Sequence, residues 1–200
     1  MKLNPEDMVE TLPSGARVQL KDFEALLLDR AVPLGMVSAR DRDRLWARHV
    51  LDSVRGVGCL PEHTRSIVDV GSGAGLPGIP VAICRPDLSV ALLEPKSRRA
   101  GFLELVVDTL GLRNVSVVVG RATRLSLSAD LCLARAVATP TKTWQLAHSL
   151  LRPGGRLLLW AGRSWPGAEG AELERLGVRW KICSQPGFSW EGPLVIMGGT

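Results

Sequence analysis

The spacing of hydrophobic residues changes near residue 66 and divides the chain into two parts. Before that point, apolar positions recur at helical spacing over residues 21–31 and 41–57, which predicts two helices. Residues 1–20 contain prolines and show little periodicity, so we expect an arm there. The first part of the chain, residues 1–62, is therefore predicted to be an N-terminal arm followed by helices.

After residue 66, short apolar or β-branched runs alternate with helical stretches. The predicted strands are 67–70, 88–93, 115–119, 131–134, 156–160, 178–183 and 194–197. The predicted helices between them are 76–84, 98–110, 141–151 and 168–176. This alternation is typical of a parallel sheet with helices on both faces. The last two strands have no helix between them, so we expect them to form an antiparallel hairpin at one edge.

This outline predicts an α/β fold, that of a class I methyltransferase that uses S-adenosylmethionine (AdoMet). Its sheet is Rossmann-like and mostly parallel, with an antiparallel last strand. We assign residues 63–200 to the AdoMet-binding domain, and residues 1–62 to a short helical N-terminal extension. The length of 200 residues agrees with one compact unit.

A glycine-rich turn follows the first strand of the predicted sheet. Residues 67–78 read I-V-D-V-G-S-G-A-G-L-P-G. Glycines are needed where a strand turns sharply into a helix and a ligand lies against bare backbone. The Asp69 carboxylate either orients this loop or faces a ligand's ammonium group through water. Glu94, which ends the next strand, can accept hydrogen bonds from both hydroxyls of a ribose.

Two cofactors compete for this turn. From Gly73 the sequence matches G-x-G-x-x-G, a pattern typical of NAD sites, but that register starts three residues beyond the strand end. From Asp69 it matches D-x-G-x-G-x-G, which is typical of AdoMet loops. Together with Glu94 and the terminal hairpin, this register favours AdoMet. The residues that the pattern predicts to bind AdoMet are Asp69, Gly71, Ser72, Gly73, Gly75 and Glu94.

Charge and cysteine content bear on the partner and the compartment. The net charge is +5, and 20 of the 25 basic residues are arginine, which is compatible with nucleic-acid contact but is also produced by a GC-rich genome. The four cysteines form no C-x-x-C or Cys/His cluster, so we predict no metal site. Cys84 and Cys132 lie in apolar runs and are predicted to be buried thiols in a reducing compartment. Without a membrane-length apolar run or a secretory signal, we expect a cytoplasmic protein and no membrane partner.

Several further motifs are more specific than the glycines alone. They are G-S-G-A-G-L-P-G-I-P at 71–80, L-W-A-R-H-V-L-D-S at 45–53, L-L-E at 92–94, G-R-A at 120–122, A-R-A-V-A at 134–138 and L-R-P-G-G-R at 151–156. Together they resemble the bacterial 16S rRNA guanine-N7 methyltransferase family (RsmG, also called GidB). The resemblance runs from about residue 35 to residue 162.

The resemblance implies an AdoMet-dependent enzyme that methylates guanine N7 in 16S rRNA, with the rRNA or the small ribosomal subunit as its partner. It implies a cofactor pocket formed by Gly71, Leu76, Glu94, Ala122, Thr123 and Arg135. The family usually has an acidic residue in place of Thr123 and a lysine in place of Ala161. These departures favour an alternative, a small-molecule N- or O-methyltransferase of specialised metabolism on the same scaffold.

Methyl transfer to guanine N7 needs no general base, because the N7 lone pair is free and alignment can supply most of the rate. The candidates for the acceptor site are Arg48, His49 and Arg135. Arg48 and His49 either line that site or hold a phosphate, or they are a surface arginine and a hydrogen-bonded histidine between helices and sheet. Arg135 follows a strand end, where α/β folds place ligand groups; otherwise it forms a salt bridge with Asp69 or Glu94.

Aromatic and basic residues outside the glycine turn add two hypotheses about RNA. Trp46 and Trp165 are candidates for stacking on bases. The arginines at positions 40, 42, 44 and 48 alternate with two aspartates, so they form either a phosphate-binding face or a solvated helix face.

Overall fold

Seven short strands form one sheet in the computed structural model, which describes residues 10–12, 15–124, 127–183 and 192–199. The strands are β1 (Ser66–Val70), β2 (Ser89–Glu94), β3 (Val115–Val119), β4 (Ala129–Arg135), β5 (Leu151–Trp160), β6 (Val178–Ile182) and β7 (Leu194–Gly199). Their order is β3-β2-β1-β4-β5-β7-β6. Strands β1 to β5 are parallel, whereas β7 is antiparallel to both β5 and β6. The predicted fold class and its edge hairpin are confirmed.

Helices cover both faces of the sheet. They are α1 (Ala16–Leu26), α2 (Asp52–Arg55), α3 (Gly78–Cys84), α4 (Ser97–Leu110), α5 (Pro140–His148) and α6 (Gly167–Arg175). Short π-helical or 3₁₀ turns span Leu27–Ala31, Ala39–Arg44, Trp46–Leu51, Gly56–Cys59 and Ala122–Arg124. Helices α1, α3 and α4 share one apolar core with the sheet, and α5 and α6 share the other.

The N-terminal helices differ from the sequence-based prediction in two ways. Helix α1 begins at Ala16, inside the predicted arm, because Ala16, Leu20 and Phe23 extend the buried stripe of that helix. The predicted helix over residues 41–57 is instead a succession of short helical turns. Phe23 lies in the same apolar core as Leu92 of β2, and α1 contacts helices α3 and α4. The domain division at residue 62 stays a prediction.

Strand β5 begins at Leu151, five residues earlier than predicted. The Pro-Gly-Gly segment at 153–155, which was expected to precede the strand, forms part of it. Gly154 has a φ of +79°, a conformation that favours glycine. A Cβ at Gly155 would lie 3.0 Å from the carbonyl oxygen of Ala129 on β4. The pairing of β4 with β5 is irregular at this point, between Ala129 and Leu131. The two glycines therefore let an irregular segment continue the sheet.

Cysteine pairing is a feature that the sequence spacing did not indicate. A disulfide joins Cys59 to Cys183, 124 positions apart, and links the turn after α2 to the end of β6. Cys84 and Cys132 are buried free thiols, as predicted, and burial raises the pKa of each to about 12. Among the helices of the described ranges, none has the length and apolar character needed to cross a membrane.

Candidate active site

Asp69 on β1 forms hydrogen bonds with two residues of the glycine loop. Its side chain is buried, and Oδ2 accepts a hydrogen bond from the amide of Gly78 at 3.1 Å. Its carbonyl oxygen accepts one from the Ser72 hydroxyl at 2.9 Å. A Cβ at Gly78 would lie 2.6 Å from Oδ2, so only glycine fits there. Burial raises the pKa of Asp69 to about 7, and Glu94 adds to this effect. Of the two predicted roles, orientation of the loop is the one observed.

The three glycines of the turn have different structural roles. Gly71, Gly73 and Gly75 all have positive φ angles, of 69°, 58° and 87°. A Cβ at Gly75 would lie 2.7 Å from Ile79, so this glycine permits packing inside the protein. A Cβ at Gly73 would meet no atom closer than 3.8 Å. The backbone at Gly73 is therefore open to a ligand.

Glu94 connects the end of β2 to the same loop. The side chain is buried, with Oε2 accepting from the Gly73 amide at 3.0 Å and Oε1 from the Lys96 amide at 2.9 Å. A carboxylate oxygen has two acceptor sites, so each oxygen retains one for a ligand hydroxyl. This arrangement matches the ribose-binding role predicted for Glu94.

A cavity of about 330 Å³ lies beside this loop, and we call it the glycine-loop cavity. Its lining residues are Val70, Gly71, Leu93, Pro95, Gly120, Arg121, Ala122, Thr123, Val137 and Leu146. It brings Gly71, Ala122 and Thr123 together, as predicted. The other predicted cofactor residues on these strands and this loop do not line it: Asp69, Ser72, Gly73, Gly75, Leu76 and Glu94. Leu76 instead packs against the core. Sequence reasoning missed Pro95 and Val137, although both follow strand ends, where ligand groups are expected.

A second cavity, of about 290 Å³, lies at the carboxyl ends of β4 and β5, and we call it the arginine cavity. Its lining residues are Asp52, Arg55, Arg135, Ala136, Ala138, Pro140, Leu159, Trp160, Ala161, Gly162 and Gly192. The segment after β4 separates the two cavities, because Ala136 and Ala138 line this one and Val137 lines the other. Ala136 has a φ of +53°, so the backbone is strained at this divide.

Arg135 lies in the arginine cavity and not in the cavity beside Gly71, where the family resemblance had placed it. The predicted alternative, a salt bridge to Asp69 or Glu94, is also wrong. The partner is Asp52, whose Oδ2 lies 3.4 Å from Nη1 of Arg135. The carbonyl of Arg48 accepts a hydrogen bond from Nη2 of Arg135 at 2.9 Å. The reason is topological: β4 ends beside α2 and the turn before it, and these elements supply the acceptors.

Asp52 stands between two guanidinium groups. Its Oδ1 accepts from Nε and Nη2 of Arg55, at 3.1 and 2.7 Å, and its Oδ2 faces Arg135. Arg55 also donates to the carbonyl of Gly192 at 3.0 Å. The Trp160 indole donates to the backbone carbonyl of Asp52 at 2.9 Å. Sequence reasoning missed Arg55 and Trp160, since nothing in their local sequence indicates that they meet 105 positions apart in one cavity.

Arg48 and His49 point in different directions, as expected for adjacent helical residues. The Arg48 side chain is exposed and forms an ion pair with Asp41 at 3.3 Å. The His49 ring is turned inward, where Nδ1 lies 3.2 Å from Nη2 of Arg135 and Nε2 lies 3.2 Å from Oδ2 of Asp41. Burial, followed by the charge of Arg135, lowers the pKa of His49. His49 is thus the hydrogen-bonded histidine of the second hypothesis, in contact with a residue of the arginine cavity.

The two tryptophans predicted to stack on bases line neither cavity. One face of Trp46 is covered by the ammonium group of Lys21, 3.5 Å from the ring centroid. Trp165 makes an edge-to-face contact with Trp180, with the ring centroids 5.1 Å apart. Their contacts are those of packing residues.

Comparison with known families decides the classification. The family model described as rRNA small subunit methyltransferase G (GidB) matches residues 17–177. The chain belongs to this family. Its cofactor is therefore AdoMet, as the loop register predicted.

Relatives of this GidB-family methyltransferase carry the name ribosomal RNA small subunit methyltransferase G. One from Frankia casuarinae is 46% identical over 70% of this chain and 55% of its own length. One from Mycobacterium marinum is 42% identical over 81% of this chain and 73% of its own length. One from Thermobifida fusca is 42% identical over 88% of this chain and 70% of its own length. The chain thus spans between about half and three quarters of the length of these relatives.

Solved structures resemble this GidB-family methyltransferase in fold. A precorrin-6y C5,15-methyltransferase from Geobacter metallireducens has a TM-score of 0.55 at 17% identity, covering 74% of this chain and 85% of that chain. TYW2 from M. jannaschii, solved with AdoMet, has a TM-score of 0.52 at 14% identity, covering 76% and 75%. These likenesses show the class I AdoMet methyltransferase fold.

The glycine-loop cavity of this GidB-family methyltransferase fits AdoMet in chemistry. Glu94 does not line this cavity but lies between the lining residues Leu93 and Pro95, and it retains acceptor sites for two ribose hydroxyls. Apolar walls from Val70, Leu93 and Leu146 suit an adenine ring. The residues that would hold AdoMet are therefore Glu94, the loop backbone and these walls.

Proposed function

We propose that this protein is an AdoMet-dependent methyltransferase that modifies N7 of a guanine in 16S rRNA in the cytoplasm. The observation that carries this proposal is the adjacency of two cavities, one that fits AdoMet and one lined by guanidinium groups. The segment from Ala136 to Ala138 separates them. The names of the relatives, which specify ribosomal RNA of the small subunit, support this substrate.

In this proposal the protein contributes alignment and not proton transfer. When bound, AdoMet supplies an electrophilic methyl group that the free lone pair of guanine N7 can attack. Arg55 and Arg135 line the arginine cavity, and guanine O6 is an acceptor that arginine recognises. His49 is no general base here, because both of its ring nitrogens are engaged. The arginine cavity is therefore the proposed acceptor site.

A basic turn linked to the arginine cavity supports an RNA substrate. On the turn Ala39–Arg44, Asp41 contacts His49, which in turn contacts Arg135 of that cavity. Arg40 and Arg42 on this turn are exposed, and neither forms an ion pair with any residue that the structure describes. Two neighbouring arginines are held by Asp41 and are less available to phosphates. Arg40 and Arg42 are therefore the proposed phosphate contacts.

The proposal is tested by methylation of small ribosomal subunits across a salt series. Wild-type methylation should fall steeply as salt rises, because each phosphate contact releases counterions. Arg40→Glu with Arg42→Glu should lower methylation by roughly tenfold at low salt. Arg175→Glu with Arg179→Glu, at the far edge of the sheet, makes the same charge change and should have little effect. Mass spectrometry of digested 16S rRNA should identify N7-methylguanosine.

A second arm of the experiment separates RNA from a small-molecule acceptor. Labelled AdoMet is incubated with the protein and either small subunits or a metabolite extract. Label in the extract, no label in the rRNA and a flat salt response would overturn the RNA proposal. That result would favour the small-molecule N- or O-methyltransferase instead.

A further inference from the structure

The hydrogen bonds of His49 define its protonation state. A guanidinium group has only donors, so Nδ1 of His49, 3.2 Å from Nη2 of Arg135, must be the acceptor. The ionised Asp41 carboxylate has only acceptors, so Nε2, at 3.2 Å from it, must carry the proton. Both contacts are satisfied together only by a neutral ring with its proton on Nε2.

The charges around His49 favour this neutral form. The ring is half-buried, and burial lowers the pKa of His49 from its ordinary 6.5. Arg135 at the end of β4 and Arg48 on the same helical turn lower it further, whereas Asp41 on the preceding turn raises it. Protonation would remove the acceptor that Arg135 uses and place a second positive charge 3.2 Å from its guanidinium group.

Several neutral acceptors bind the guanidinium group of Arg135 where it lines the arginine cavity. Its Nη1 donates to the carbonyl of His49 and to the hydroxyl of Ser53, both at 3.3 Å. Its Nη2 donates to the carbonyl of Arg48 at 2.9 Å. Of the neutral acceptors around this guanidinium group, the His49 ring is the one that loses its acceptor function through protonation near neutral pH.

We propose that His49 is a positioning residue whose neutral, Nε2-protonated ring helps to hold the Arg135 guanidinium group in the arginine cavity, and that protonation of the ring breaks this contact and displaces the guanidinium group. The link to catalysis rests on the proposed function, in which this cavity binds the methyl acceptor. His49 lines neither cavity, so it acts through Arg135 and not on the substrate.

The kinetic test is the pH profile of methylation between pH 4.5 and 8. Wild-type kcat should fall on an acid limb below pH 6.5, since the pKa of His49 is lowered. His49→Gln should lose that limb and run roughly ten- to a hundredfold slower at pH 8, with the KM for AdoMet unchanged. Asp41→Asn keeps an acceptor for Nε2 but removes the charge that raises the His49 pKa, so its limb should move to lower pH. His63→Gln, at an exposed histidine, should match wild type.

An NMR measurement tests the same inference without substrate. Long-range ¹H–¹⁵N correlation in the intact protein should show a neutral His49 ring with the proton on Nε2 at pH 7. A proton on Nδ1, or a charged ring at pH 7, would overturn the inference, as would an unchanged acid limb in His49→Gln. If NMR shows the expected tautomer but rRNA is not methylated, the proposed function fails while the positioning of Arg135 by His49 stands.

Discussion

Asp69 and Glu94 act at the residue scale as two buried carboxylates that hold one loop from two strands. Asp69 accepts from Gly78 and Glu94 accepts from Gly73, so the loop is fixed at both ends. Their environments differ, because Oδ1 of Asp69 is buried without a hydrogen-bond partner among the described residues, whereas both oxygens of Glu94 are bonded. Asp69 supports the loop through Oδ2, while each oxygen of Glu94 can still accept one more hydrogen bond, from a ligand hydroxyl.

Glu94→Gln should weaken AdoMet binding by about 1.5–3 kcal/mol, because it removes charge-assisted hydrogen bonds to the ribose. Isothermal titration calorimetry measures this directly. Glu104→Gln, at an exposed position on α4, makes the same chemical change and should leave the affinity intact. Equal affinities in the two variants would remove Glu94 from the cofactor site.

Asp69→Asn should change how stability depends on pH. The pKa of Asp69 is raised from 3.8 to about 7. The contribution of the protonated side chain to the free energy of unfolding is therefore fully present below pH 3.8 and is lost as pH rises through 7. Asparagine does not titrate. As pH rises from 4 to 8, the free energy of unfolding of the variant should therefore increase relative to that of wild type by on the order of 2–4 kcal/mol. Urea unfolding at several pH values measures the difference. A difference that does not vary with pH would contradict this prediction.

At the scale of elements, helix α3 lies against β1 and β2 at a separation that only glycine permits. A Cβ at Gly78 would lie 2.5 Å from Cδ2 of Leu92 as well as 2.6 Å from Asp69. The first turn of α3 is therefore held directly over the strand ends, and the loop that precedes it is held above the glycine-loop cavity. The close packing of α3 on the sheet therefore also sets the position of the glycine loop.

Gly78→Ala should destabilise the protein by about 1–3 kcal/mol, because the added methyl group must push α3 away from the sheet. AdoMet affinity should fall with it. Gly101→Ala, in α4, is the matched control, since a Cβ there meets no atom within 4 Å. Alanine favours helix over glycine, so that variant should gain up to about 1 kcal/mol. Thermal unfolding of both variants decides, and equal melting temperatures would refute the packing argument.

At the scale of the whole molecule, long-range links join the N-terminal helices to the last strands. The disulfide joins Cys59 to Cys183, and Arg55 reaches the carbonyl of Gly192. Arg55 and Gly192 both line the arginine cavity, so the second link joins segments of its wall that are far apart in the sequence. A reducing cytoplasm would oppose the disulfide, so its contribution to stability is a property to measure.

Reduction of the disulfide should lower the free energy of unfolding by about 2–4 kcal/mol, because the bond constrains a long loop of the unfolded chain. Thermal unfolding with and without dithiothreitol measures the change. A Cys59→Ser, Cys183→Ser double variant should already have the lower stability and should not respond to the reductant. An unchanged melting temperature of wild type in dithiothreitol would contradict the prediction.

Local sequence determined the strands and most helices of the sheet region, the AdoMet register of the glycine turn, and the placement of Asp69 and Glu94 at strand ends beside that turn. Periodicity and turn chemistry act over a few residues, so they can be read from the chain alone. Family membership was likewise visible in the motifs around residues 45–53 and 71–80.

Only the tertiary structure decided which side chains meet. The pairing of Arg135 with Asp52 in place of Asp69 or Glu94, the disulfide of Cys59, and the separation of two cavities by alternate residues after β4 all depend on strand order. Such contacts form between positions tens to over a hundred residues apart. No local pattern encodes them, because the packing of whole elements and not the propensity of any segment brings them together.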